Sequence, residues 1–123
     1  MKRIFLNQGP VVACAAVIYY LSSMPQVAKI PLPYQLDKLA HAIVYGILAI
    51  TAHRAFFHQK KFETMRRNAG LLAILFALLY GMTDEFHQQF VPGRFSSLMD
   101  IAADVAGAVI AVWFRNKRSD HTT

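Results

Sequence analysis

The chain is short of cysteine, of charge and of acidic residues, and each shortage excludes something. Cys14 is its one cysteine, so it can build neither a disulfide framework nor a cysteine metal site. Charged residues make up 16% of the 123 residues and hydrophobic ones 55%, whereas soluble domains carry roughly 25% charged residues. Together with long apolar runs, that deficit points away from a large soluble core and towards a membrane protein. No phosphate loop and no nucleophile elbow is present, which removes the soluble enzyme classes those motifs mark. There is also no internal repeat and no low-complexity tract.

Processing signals are equally thin. "MKRIF" and the apolar stretch after it have the form of a signal peptide, but no small-x-small cleavage site closely follows "VIYYLSS". "VVAC" has the form of a lipoprotein box, yet Asn7, Gln8, Gly9 and Pro10 interrupt the run before it. A retained first helix is expected. Acidic residues number 7 against 13 basic ones, for a net charge of +6. The basic residues gather at three short sites between apolar segments, as the flanks of membrane helices do, so no nucleic-acid partner is expected.

The length suits one domain, residues 1–123. A helix crosses the hydrocarbon core in about 17–25 residues. Four segments reach that length: 4–22, 36–57, 69–90 with its polar end included, and 98–114. The expected fold is an all-α, four-helix transmembrane bundle. Pro25, Pro31 and Pro33 keep the first connection from being helical throughout. "RNKRSDHTT" reads as a short solvated tail. Ten of the Lys and Arg residues (positions 2, 3, 54, 60, 61, 66, 67, 115, 117 and 118) fall on one side of such a bundle. Only Lys29, Lys38 and Arg94 fall on the other. The positive-inside rule then places both termini and the middle loop in the cytoplasm.

The polar residues of the apolar segments are spaced to share faces. Asp37, His41 and Tyr45 recur every four residues, with Lys38 beside them. Tyr80, Asp84 and Gln88 do the same, with Glu85 adjacent and His87 flanking. Ser97, Asp100, Asp104 and Gly107 share a third face. Charge at a lipid-facing position costs about 2.5–3.5 kcal/mol at the membrane centre. The three stripes should therefore turn inward and meet in the outer half of the bundle. Asp84, Glu85 and His41 are the candidates for catalytic groups. Asp37, Lys38, Tyr45, Gln88, Arg94, Ser97, Asp100 and Asp104 are the candidates for ligand binding. Structural roles stand beside these. Asp37 would cap one helix, and Ser97 with Asp100 would form a capping box at another. Arg94 would pair with Asp84 or Glu85, and His41 and Tyr45 would bond across helices. His87 would face headgroups, Gly107 would allow close helix packing, and His53, His58 and His121 would be solvated.

"DKLAHAIVYGIL" followed by "DEFHQQFVPGRFSSLMDIAADVAG" resembles the VanZ-like membrane proteins. The matching positions are Asp37, Lys38, His41 and Tyr45, then Asp84, Glu85, Gln88, Phe90, Pro92, Arg94, Ser97, Asp100 and Gly107. Ser22–Pro25 is also similar. The combined spacing is highly specific and runs from about Leu21 to Gly107. Asp104 departs from the family, which commonly has Asn there; as an aspartate it is protonated or paired with a cation if the position otherwise only donates an amide hydrogen bond. The resemblance implies a multi-pass protein of the bacterial cytoplasmic membrane. It also implies a link to resistance against teicoplanin, a lipid-bearing glycopeptide that targets cell-wall precursors.

Four functions remain open at this level. The cluster would bind or modify a lipid or lipid-linked cell-wall-precursor headgroup at the outer leaflet. Lys38, Arg94 and two helix N-termini would take a phosphate, although the acids make the site net negative. Alternatively, a small intramembrane enzyme would use His41, Asp84, Glu85, Asp100 and Asp104 around a divalent cation. A proton- or cation-coupled carrier is the third reading, and would need a homo-oligomer to build gates. The fourth is a structural subunit for a partner membrane protein. The cofactor is unknown, and no residue is assigned as a metal ligand.

Overall fold

The computed structural model describes residues 2–23, 34–91 and 98–122. They fold into five helices: α1 (Lys2–Ser23), α2 (Tyr34–His58), α3 (Glu63–Arg67), α4 (Ala69–Gln88) and α5 (Leu98–Thr122). No strand occurs among the described residues. Three helices hold stretches long and apolar enough to cross a membrane, Ile4–Ser23, Lys38–His58 and Ala69–Gln88. The first runs through Pro10 without interruption, a placement that membrane helices tolerate because their neighbours re-satisfy the freed carbonyl. The fourth long helix, α5, is cut short as an apolar run: Asp100 and Asp104 lie near its start and Arg115 follows Phe114.

Helix α2 is the centre of the bundle and packs on α1, α4 and α5, while α4 also packs on α5 and, less, on α1. The buried face of α4 shows how the sequence builds this. Ala69, Ala73, Ala77, Gly81 and Glu85 recur every four residues, and Asp84 and Gln88 extend the face at its end. The opposite face carries Leu71, Leu75, Leu79, Met82 and Phe86, all exposed. Small residues point inward and large apolar ones outward, the reverse of a soluble helix. Between helices in lipid, close backbone approach supplies the packing energy that hydrophobic burial supplies in water. A membrane supplies the outer solvent that these exposed Leu and Phe side chains require.

The tightest approach is between α2 and α5. A Cβ on Gly107 would collide with the Ala42 carbonyl oxygen, and one on Gly46 would lie 3.3 Å from the Gly107 oxygen. The close packing expected of Gly107 is therefore against the backbone of α2.

One local expectation changes, and two local features are added. The tail after Phe114 is helical, because α5 continues to Thr122. His53 is not solvated: it is buried, and its Nδ1 accepts a hydrogen bond from Arg115 Nε at 2.9 Å. The connection after α2 contains the one-turn helix α3, with Glu63 at its start and Arg66 and Arg67 at its end, charges that suit the helix dipole. The proline-rich first connection lies outside the described residues.

Candidate functional site

The polar stripes gather where α1 and α4 end and α2 and α5 begin. Asp84 on α4 is the meeting point of three helices. It accepts hydrogen bonds from Ser22 Oγ on α1 and from Tyr45 OH on α2, the latter at 3.2 Å. Gln88, one turn on from Asp84, donates its Nε2 to Ser22 Oγ at 3.4 Å. Ser22, Tyr45, Asp84, Glu85 and Gln88 are all buried. A carboxylate moved from water into such a site is costly unless its lone pairs are used, and here each Asp84 oxygen accepts a hydroxyl.

A second group joins α2 to α5. Lys38 Nζ pairs with Asp100 Oδ1. His41 donates from Nδ1 to Asp104 Oδ1 at 2.9 Å, and its Nε2 is 3.9 Å from Asp100 Oδ1. Asp104 is fully buried. The side chains of Lys38 and His41 keep 18% and 17% of their surface exposed, which makes them the accessible edge of an otherwise closed cluster. Gly81 connects the two groups. A Cβ there would lie 3.0 Å from Asp104 Oδ2 and 3.6 Å from the Tyr45 ring, so its missing side chain is the room in which Asp104 and Tyr45 meet α4.

Of the residues picked out from the sequence, the structure brings His41, Lys38, Tyr45, Asp84, Glu85, Gln88, Asp100 and Asp104 to this one end. Arg94 and Ser97 lie outside the described residues, as does the side chain of Asp37. The capping box is thus undescribed at Ser97, while Asp100 is engaged by Lys38. His87 does not simply face outward: Ser23 Oγ lies 3.0 Å from its Nε2, and Tyr19 stacks on its ring at 4.9 Å between centroids. Two members were missed. Ser22 could have been found from its place before Ser23 and Pro25 at the end of the first apolar run. Gly81 carried a signal too, one turn before Glu85.

Among the described residues, four carboxylates, one lysine and one histidine thus gather at one end of a bundle with apolar outer faces. Such a set can hold a cation, bind the hydroxyls and charges of a headgroup, or pass protons. The fold and the cluster define a helical membrane protein with a buried ionisable site at one end of its bundle. The VanZ/LLP1 family model matches residues 5–116, and the chain belongs to that family. No curated protein and no solved structure matches it.

Proposed function

We propose that the protein is a single VanZ-like domain that crosses the bacterial cytoplasmic membrane four times, with both termini in the cytoplasm. In this reading α5 is the fourth span. The buried cluster then opens to the extracytoplasmic side, where it binds or modifies the headgroup of a lipid or lipid-linked cell-wall precursor. That activity contributes to resistance against teicoplanin-type glycopeptides. One observation carries the reading: ionisable side chains from three helices are buried together at one end of a bundle with an apolar exterior, and their open edge is Lys38 and His41. Intramembrane ionisable residues are costly, and function is what retains them. Lys38 is the cation at that edge, and a charge-assisted contact to a phosphate oxygen suits it.

Orientation is checked by thiol labelling in a Cys14→Ser background. Phe90→Cys should react with an impermeant maleimide in intact cells, and Lys60→Cys only after permeabilisation. The reverse pattern would overturn the topology. The headgroup is checked by identifying the lipids that co-purify. Loss of a charged hydrogen-bond partner is worth about 1.5–3 kcal/mol, so Lys38→Ala should lower the retained anionic lipid on the order of 10-fold. It should also remove any rise in teicoplanin tolerance that the wild-type protein confers on a susceptible host. An unchanged lipid profile would sink the headgroup reading.

A further inference from the structure

Asp104 poses a problem that the hydrogen bonds do not solve. It is fully buried. Its Oδ1 accepts from His41, but its Oδ2 has no hydrogen-bond partner among the described residues. Leaving a buried acceptor unsatisfied costs about 1–3 kcal/mol, more when it is charged. Oδ2 lies against the face of α4 at Gly81, and Glu85 is one turn further along that face. One ligand atom each from His41, Glu85 and Asp104 fall within 4.8 Å of one another.

Those separations are close to what one ion requires. Donors bound at about 2.0–2.2 Å around a tetrahedral ion lie about 3.4 Å apart, so side-chain shifts on the order of an ångström close the site. The three side chains come from α2, α4 and α5, so an ion would tie together three helices that already pack on one another. The donor set is one imidazole nitrogen and two carboxylate oxygens. Imidazole favours Zn²⁺ and similar transition ions, whereas Mg²⁺ and Ca²⁺ are held by oxygen alone. We propose that His41, Glu85 and Asp104 hold one divalent transition-metal ion, of the Zn²⁺ or Mn²⁺ kind, between α2, α4 and α5. Its open coordination positions lie on the His41 side, where the cluster is accessible. A dication there also offsets two of the four carboxylates and offers a positive partner to an anionic headgroup. That consequence rests on the proposed function; the ion site does not.

The test uses the full-length protein purified in detergent, stripped with chelator and titrated with Zn²⁺ and then Mn²⁺, without phosphate or added lipid. Wild type should bind about one ion per chain and melt at a higher temperature when loaded. Co²⁺ in the site should give a visible spectrum of nitrogen and oxygen ligation. Altering groups around a metal typically costs 10–100-fold in affinity, so Asp104→Asn and Gly81→Ala should each weaken binding at least about 10-fold. Gly81→Ala acts by filling the space beside Oδ2, without removing a ligand. Saturable uptake below about 0.2 ion per chain by the wild type would overturn the site, whatever the variants do. So would equal affinities in the wild type and a folded Asp104→Asn. Where Asp104→Asn does not fold, His41→Gln takes its place under the same criterion. Stoichiometric ion binding by protein that retains no lipid would keep the ion site and discard the headgroup. Lipid retention by protein that takes up no ion would do the opposite.

Discussion

Gly107→Ala should be the most damaging single substitution described for this bundle, costing about 3 kcal/mol or more. A methyl group at that position collides with the backbone of Ala42 on α2: with its carbonyl oxygen, with its carbonyl carbon at 2.6 Å and with its Cα at 2.7 Å. No rotamer change relieves a clash with a helix backbone, so α2 and α5 must separate. The matched control is Gly46→Ala, whose Cβ would come no closer than 3.3 Å, to the Gly107 oxygen, with Ala111 Cβ at 3.5 Å. It calls for a shift of a few tenths of an ångström and should cost well under half as much. The difference matters to the site. Ala42 follows His41 in the chain, and Gly107 is one turn from Asp104, so separating the helices pulls on the 2.9 Å bond between His41 and Asp104. Reversible unfolding in mixed micelles should rank the variants as wild type, then Gly46→Ala, then Gly107→Ala. Equal losses for the two alanines would mean that α2 and α5 do not cross at this glycine.

Spacing alone revealed which residues share a face, because an inward turn is the low-cost answer for charge in lipid and four-residue recurrence is independent of the fold. His41 and Tyr45, and likewise Asp84 and Gln88, are readable for that reason. Spacing does not say which neighbour a face meets. Asp100 has the register of a capping residue, and only the packing of α2 on α5 shows that Lys38 takes it. Ser22 is a common residue at the end of an apolar run, and its tie to Asp84 spans 62 positions of chain. The helical end of α5 was hidden for another reason. Hydropathy measures suitability for lipid, whereas Arg and Lys are good helix formers in water, so a helix outlives its apolar run. His53 illustrates the same limit from the other side, since its partner Arg115 is 62 residues away. The membrane class and the family were legible early because they depend on composition and motif spacing rather than on packing.

Asp84 should prove to be the keystone of the polar cluster, and its effect should appear first in stability. Its two oxygens are taken by hydroxyls from two other helices, Ser22 and Tyr45, which leaves it less available to a ligand than Asp104, with its open Oδ2. Asp84→Ala strands both hydroxyls in a buried site and should cost about 2 kcal/mol, at 1–3 kcal/mol for a group left unsatisfied. Asp84→Asn keeps one acceptor and offers an amide to the other hydroxyl, which can rotate to receive it, so the loss should be roughly halved. Interhelical hydrogen bonds in membranes average about 0.6 kcal/mol and reach about 1.7 kcal/mol in double-mutant cycles, which sets the size of the Tyr45–Asp84 coupling. Tyr45→Phe should therefore destabilise the wild type by that amount and the Asp84→Ala variant hardly at all. Additive losses in the cycle would show that the Tyr45 hydroxyl and Asp84 act independently. Asp84 would then be free to serve the ligand directly, and Asp84→Asn would abolish lipid retention while leaving the unfolding curve where it was.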